Sequence, residues 1–105
     1  MEWVRRIAHE LRHLWQYKYH PEYNENYIHG DTDKDGYLNQ ISELDAEAFA
    51  EKLVYLITGE DFIDSYTDCD ESVKEKVKER MNAIEINHEN IRNLKGLLGF
   101  IDDDM

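Results

Sequence analysis

The first predicted helix covers residues 3–19, where apolar side chains recur at helical spacing. At about 100° per residue they fall on one stripe. Its members are Trp3, Val4, Ile7, Leu11, Leu14 and Trp15. The pattern predicts that this stripe packs against the core and that the opposite side of the helix faces away from it. Pro21 ends the helix or follows its end closely, because proline cannot continue a helix.

A second helix is predicted over residues 43–58. Ser42 opens it, and Asp45 three residues later makes a loose capping box. Gly59 closes it, because glycine readily adopts the left-handed conformation that ends many helices.

The rest of the chain completes a mainly α fold. A third helix is predicted over about residues 72–86, and a short fourth helix, capped by Asn87, over about 88–98. Residues 20–41 are polar and turn-like, and no segment alternates strongly enough to predict a strand. We therefore expect one small domain over residues 1–105, with about four helices and little or no β-sheet.

The charge balance narrows the choice of partners. The chain has 24 acidic against 12 basic residues, a net charge of -12. This excess disfavours nucleic acids and anionic membrane surfaces, and it suits cations, metals and basic partners. The single cysteine excludes an intrachain disulfide, and no apolar run is long enough for a membrane span or a signal core. We expect a cytoplasmic protein, whose oligomeric state the sequence leaves open.

The first predicted helix contains an HExxH motif, His9-Glu10-Leu11-Arg12-His13. Residues four apart lie about 40° apart around a helix, so both imidazoles reach one metal ion. They face away from the apolar stripe. Glu10 beside them is placed to accept a proton from an activated water. Two imidazoles and a carboxylate favour zinc, which predicts a zinc site with Glu10 as general base.

The second predicted helix offers the third ligand. One of its faces carries two glutamates and two alanines: Glu43, Ala46, Glu47 and Ala50. The small alanines let that face approach another helix closely, so Glu43 is the predicted third ligand. Glu47 is predicted to orient a ligand histidine, and the two roles could be exchanged. Asp45 points roughly opposite to Glu43 and is not expected on the same metal. His20 and His29 are loop histidines, either of which could replace Glu43.

Together these two segments resemble a known family. The pattern His9-Glu10-x-x-His13-Leu14, followed by Glu43-x-Asp45-Ala46-x-x-Phe49-Ala50, resembles the gluzincin metallopeptidases, most closely the ImmA/IrrE-type and phage-borne branch. The resemblance covers residues 3–58. It implies a bacterial or phage enzyme that hydrolyses protein or peptide substrates with zinc. His9, His13 and Glu43 would be its zinc ligands, and Glu10 its general base.

Two features leave the activity open. Zincins place a β-sheet before the HExxH helix, whereas this helix begins within a few residues of Met1, so we expect a minimal or truncated zincin. The alternatives are a catalytically inactive zincin-like protein that acts as a binding or regulatory module, and a calcium-stabilised interaction domain. The residue that stabilises the oxyanion is open among four side chains: Tyr23, Tyr27, Tyr66 and His88.

A second cation signal lies between the two halves of the zinc motif. Aspartates at alternate positions, followed by Gly36 for a sharp turn, resemble an EF-hand or dockerin calcium loop. The predicted calcium ligands are Asp31, Asp33, Asp35, Tyr37, Asn39 and Ser42. Ser42 stands where such loops have a bidentate glutamate, so the calcium site is expected to be weak. The same residues are also typical of a turn held by aspartate side chains.

Overall fold

The computed structural model describes residues 2–59, 71–87, 89 and 91–92. This part of the chain is mainly helical, as predicted, and contains no strand. Its elements, in chain order, are α1 (Glu2–Tyr19), a 3-10 helix (Pro21–Asn24), α2 (Lys34–Asn39), α3 (Ile41–Thr58) and α4 (Glu71–Ala83). None of the helices in these ranges is long and apolar enough to cross a bilayer.

Helix α3 lies at the centre of the fold, with α1 and α4 packed against it. Its core positions include Ala46, Ala48 and Ala50, all fully buried, which let neighbouring helices approach closely. One core cluster joins α3 to α4 and contains Ala48, Val73, Val77 and Ile84. Another joins α3 to α1 and to the C-terminal described residues; it contains Ala8, Ala50, Leu53 and Ile91.

The ends of α3 differ in how well they were predicted. Gly59 ends the helix in the left-handed conformation (φ 76°), and its N–H donates to the Tyr55 carbonyl at 2.7 Å, as predicted. The helix starts at Ile41 rather than at residue 43, because Gln40, and not Ser42, is the N-cap residue. Ser42 therefore lies buried inside the first turn of α3 and is not its cap.

Helix α4 ends at Ala83, earlier than the predicted residue 86. Two carbonyls near its C-terminal end, those of Met81 and Ile84, accept hydrogen bonds from the Lys52 ammonium group of α3. The predicted cap of the next helix is present, because the Asn87 side chain accepts the Glu89 N–H at 2.8 Å. Of that predicted helix, residues 88, 90 and 93–98 lie outside the described residues.

The prediction of a wholly turn-like segment over residues 20–41 was wrong. Pro21 begins the 3-10 helix, where its fixed φ suits the first helical position. Helix α2 begins after Asp33, whose side chain accepts the Gly36 N–H at 3.1 Å and so caps the helix. The aspartate and glycine that resembled a calcium loop are therefore part of a helix N-terminus.

The structure also corrects which face of α1 is buried. Of the predicted core stripe, Val4 is buried but four members are largely exposed: Trp3 (44%), Ile7 (51%), Leu11 (55%) and Leu14 (64%). Ala8 and Gln16 are buried instead. The reason is an ion pair, because Arg12 turns toward α3 and bonds to the fully buried Asp45. Hydrophobic patterning treats such residues as surface positions, so it selected the wrong face.

Candidate metal centre

Three ligand atoms converge between α1 and the first turn of α3. The Nε2 atoms of His9 and His13 lie 3.1 Å apart. Glu43 completes the group, with Oε2 3.1 Å from His9 Nε2 and Oε1 3.2 Å from His13 Nε2. Around a tetrahedral zinc with bonds of about 2.0–2.1 Å, ligand atoms are separated by about 3.3–3.4 Å. These three separations, which involve both oxygens of Glu43, are thus already close to the spacing that zinc requires. Among the described residues, the three side chains are the one group of this kind.

Each histidine is oriented through its other ring nitrogen. His9 Nδ1 lies 2.6 Å from Glu47 Oε1, and His13 Nδ1 lies 3.0 Å from Gln16 Oε1. Because both partners are acceptors, the neutral form of each ring carries its proton on Nδ1, and Nε2 is then left to bind a metal. Arg5 donates to the second oxygen of Glu47 at 3.2 Å and so helps to hold it. Glu47 thus lies against one of the two predicted ligand histidines, and its proposed function toward a metal stays a prediction; the contact of Gln16 with His13 was not anticipated.

A buried ion pair holds Gln16 in place. Its amide N–H groups donate to the Ser42 carbonyl and to Asp45, both at 2.9 Å, so its oxygen faces His13. Asp45 also accepts from Arg12 at 2.8 and 3.2 Å, and from Arg80 of α4 at 2.9 Å. Asp45 lies outside the converging group, as expected. Its carboxylate instead holds Arg12, Gln16 and Arg80 in place. The i, i+3 spacing of His13 and Gln16 was the sequence signal that could have revealed this contact.

The charges of the centre are strongly coupled. Burial disfavours a charge on His9, but hydrogen bonds with Glu43 and Glu47 outweigh burial and raise the pKa of His9 to about 9. The hydrogen bond with Glu43 is also the main reason that the pKa of His13 is raised. Burial acts to raise the pKa of Glu43, but its bonds with both histidines and Tyr27 keep that pKa below its usual range. A divalent cation must therefore displace protons from this site.

The three ligands lie in the wall of an open cleft of about 670 Å³. Glu10 lines the cleft as well, beside the converging group but outside it. The remaining wall is largely aromatic and is formed by Leu14, Tyr17, Asn24, Tyr27, His29 and Tyr37. Leu14 and Tyr17 are also exposed on α1, so the cleft is continuous with the exposed stripe of that helix. A ligand of the metal could therefore reach both a carboxylate and an aromatic surface.

Of the predicted oxyanion donors, Tyr27 lies in the cleft, where its hydroxyl donates to Glu43 Oε1. Tyr23 lies elsewhere and accepts from Arg80 at 3.1 Å, while Tyr66 and His88 are outside the described residues. The two alternative ligands are not in the converging group. His29 lines the cleft, and His20 bonds to Glu22 at 3.0 Å on the surface.

The residues of the predicted calcium loop have other contacts. Asp33 caps α2, and Asn39 donates to the Asp35 carbonyl at 2.7 Å and accepts from Lys76 at 2.6 Å. Tyr37 lines the metal cleft, and Ser42 is buried in α3. Within the described ranges, the aspartates, including Asp31, do not form a group that could hold a metal. Calcium binding stays a prediction.

Comparisons of the chain with protein-family models, curated proteins and solved structures found no significant match. Fold and site together define a mainly helical protein with a candidate metal centre of two histidines and one glutamate. The resemblance to gluzincins stays a prediction carried by two short motifs.

Proposed function

We propose that the chain binds zinc through His9, His13 and Glu43 and is a zinc-dependent peptidase of gluzincin type. The observation that carries the proposal is that the Nε2 atoms of the two histidines lie 3.1 Å apart and that each lies 3.1–3.2 Å from one oxygen of the Glu43 carboxylate. Two imidazoles and one carboxylate are a ligand set that leaves the fourth position of a tetrahedral zinc open. Such open sites are typical of catalysis, whereas structural zinc sites are closed by a fourth protein ligand.

In peptide hydrolysis, each residue around the metal centre would have a separate function. When bound, zinc would act as a Lewis acid on the scissile carbonyl and activate a water. Glu10, in the wall of the same cleft, would accept the proton of that water and pass it to the leaving amine. Glu47 and Gln16 would keep the two imidazoles in the tautomer that presents Nε2. The substrate would be a protein or peptide, and we expect the reaction in the cytoplasm.

The test of the metal centre is the zinc content of the purified chain, measured by mass spectrometry, followed by a zinc titration. We expect one zinc per chain in the parent and loss of zinc in His9→Ala. His20→Ala is the matched control, because His20 lies outside the converging group and should not affect zinc. Unchanged zinc affinity in His9→Ala would contradict the metal centre.

The test of the peptidase is Glu10→Gln, which should keep zinc and lose cleavage of an unstructured protein substrate. A base contributes typically about 10²–10⁴-fold to the rate, so the loss should be at least this large. If the parent cleaves and Glu10→Gln cleaves equally fast, Glu10 is not the base and the mechanism is wrong.

A zinc-binding module that acts through a protein partner is the second candidate. The observation that favours it is the exposed apolar stripe of α1, since contiguous apolar patches are typical of surfaces that bind other proteins. Zinc binding without zinc-dependent cleavage of any unstructured substrate would support this candidate over the peptidase.

A further inference from the structure

The two oxygens of the Glu43 carboxylate have different partners. Oε2 lies 3.1 Å from His9 Nε2. Oε1 lies 3.2 Å from His13 Nε2 and also accepts a hydrogen bond from the Tyr27 hydroxyl. A phenol keeps its proton at neutral pH, since its pKa is about 10, so Tyr27 is the donor. Each carboxylate oxygen thus lies against one imidazole, and Oε1 accepts the Tyr27 hydrogen bond in addition.

This difference matters because a carboxylate binds a metal through one oxygen or through both. Bound through one oxygen, Glu43 and the two histidines supply three ligand atoms and leave a position open on a tetrahedral zinc. Bound through both oxygens, the same residues supply four ligand atoms, and a water then makes the metal five-coordinate.

We propose that Tyr27 is a positioning residue that keeps Glu43 monodentate, bound through Oε2, and so keeps the fourth position of the metal open. This inference rests on the proposed metal centre. Tyr27 acts by holding Oε1 in a hydrogen bond, which makes that oxygen a poorer partner for the metal.

The backbone next to Tyr27 is fixed to the same turn of α3 that carries Glu43. The Ile28 N–H donates to Gln40 Oε1 at 3.0 Å, and the Ile28 carbonyl accepts from Gln40 Nε2 at 2.8 Å. Gln40 is the N-cap residue of α3, three residues before Glu43. This two-bond clamp ties the segment with the hydroxyl donor to the helix start with the carboxylate acceptor.

The ring of Tyr27 is held from the side as well. It packs edge-on against His29, with centroids 5.2 Å apart, and against Tyr37, with centroids 6.2 Å apart. Edge-to-face contacts of this kind favour one ring orientation. With both backbone and ring fixed, the hydroxyl is preorganised for Glu43 before any metal binds.

The experiment loads the parent and Tyr27→Phe with cobalt(II) in place of zinc and records the visible spectrum, which distinguishes four-coordinate from five-coordinate cobalt. We expect a four-coordinate spectrum from the parent. Tyr27→Phe removes one oxygen atom and keeps the ring, and we expect a loss of band intensity as Glu43 becomes bidentate. Tyr23→Phe is the matched control, because its hydroxyl bonds to Arg80 and not to Glu43, and it should keep the parent spectrum.

Failure of the inference and failure of the metal centre give different results. A parent that binds neither cobalt nor zinc contradicts the metal centre itself. A Tyr27→Phe chain that binds cobalt with the parent's four-coordinate spectrum overturns the function of Tyr27 and leaves the metal centre standing. The zinc-loaded parent provides a test that needs no variant: X-ray absorption should show four nearest neighbours around zinc, and five would overturn the inference.

Discussion

The side-chain oxygen of Gln16 lies 3.0 Å from Nδ1 of His13, one turn away on α1. Through its amide group, Gln16 also bonds to the buried carboxylate of Asp45. The candidate metal centre is therefore connected to the ion pair that holds α1, α3 and α4 together. A substitution in the ion pair should affect metal binding, and metal binding should affect the stability of the fold.

We expect Asp45→Ala to destabilise the metal-free protein by about 3 kcal/mol, because removing one partner of a buried ion pair typically costs about 3–5 kcal/mol. We use the lower end of this range because the Arg80 side chain is partly exposed, so water can hydrate its charge once Asp45 is removed. Urea unfolding measures the loss. Glu22→Ala is the control, since its side chain is 56% exposed and its loss should cost much less. An Asp45→Ala chain that unfolds at the parent's urea concentration would show that the ion pair does not stabilise the fold.

Glu47 provides a prediction for metal affinity. Replacing a hydrogen-bond partner of a ligand histidine typically weakens metal binding about 10–100-fold, and we expect a loss of this size in Glu47→Leu. Glu47→Gln keeps an oxygen acceptor for His9 Nδ1 and should lose less. Competition titrations with a zinc chelator measure both. Equal losses in the two variants would mean that the charge of Glu47, and not its hydrogen bond to His9, supports the metal.

The pH dependence of the metal-free protein follows from His9 and Glu43. The pKa of His9 rises from 6.5 to about 9 on folding, so its contribution to stability is complete below pH 6.5 and is lost as pH rises through 9. The pKa of Glu43 falls below 4.5, so its contribution is present above pH 4.5 and is lost as the solution becomes more acidic. We expect a higher urea midpoint at about pH 6 than at about pH 9.5.

Two controls accompany this prediction. His9→Gln should reduce the decline between these two pH values, because the group that loses its proton is gone. Zinc should oppose the decline in the parent, because it binds the neutral imidazoles. A urea midpoint in the metal-free parent that rises from about pH 6 to about pH 9.5 would contradict the coupling of His9 to the two glutamates.

The residues of the site could be predicted from the sequence because the HExxH spacing acts locally. Once α1 is helical, His9 and His13 must lie on one side of it, and the alanines of α3 allow Glu43 to come close. The connections of Tyr27 and Gln16 could not be predicted in this way. They depend on how the segment before α2 and the buried side of α1 meet α3, which no local pattern specifies.

The fold was predicted unevenly for a related reason. Caps and apolar periodicity located α1, α3 and α4, and Gly59 marked the end of α3. Helix α2 was missed because its six residues include a glycine and follow an aspartate-rich turn. The buried face of α1 was wrong because Arg12 and Asp45 neutralise each other inside the fold, and patterning by hydrophobicity assigns neither residue to the interior.

The corrected orientation of α1 predicts that the same substitution, leucine to alanine, changes the free energy of unfolding strongly at one site and hardly at another. Leu53 is 8% exposed in the core, whereas Leu11 is 55% exposed on the stripe of α1. Leu53→Ala should lower the free energy of unfolding by about 2–5 kcal/mol, because it leaves a cavity among packed side chains. Leu11→Ala should change it by no more than about 0.5 kcal/mol, as is usual for a surface position, since alanine also suits a helix.

Urea unfolding of the metal-free variants gives both free energies, and circular dichroism checks that each chain is helical before unfolding. The two changes remove the same atoms, so the comparison isolates burial from the chemistry of the substitution. The sequence pattern alone predicts that Leu11 packs in the core and that Leu11→Ala is as costly as Leu53→Ala. If Leu11→Ala lowers the free energy of unfolding by more than about 2 kcal/mol, the stripe packs in the core and the orientation of α1 is contradicted.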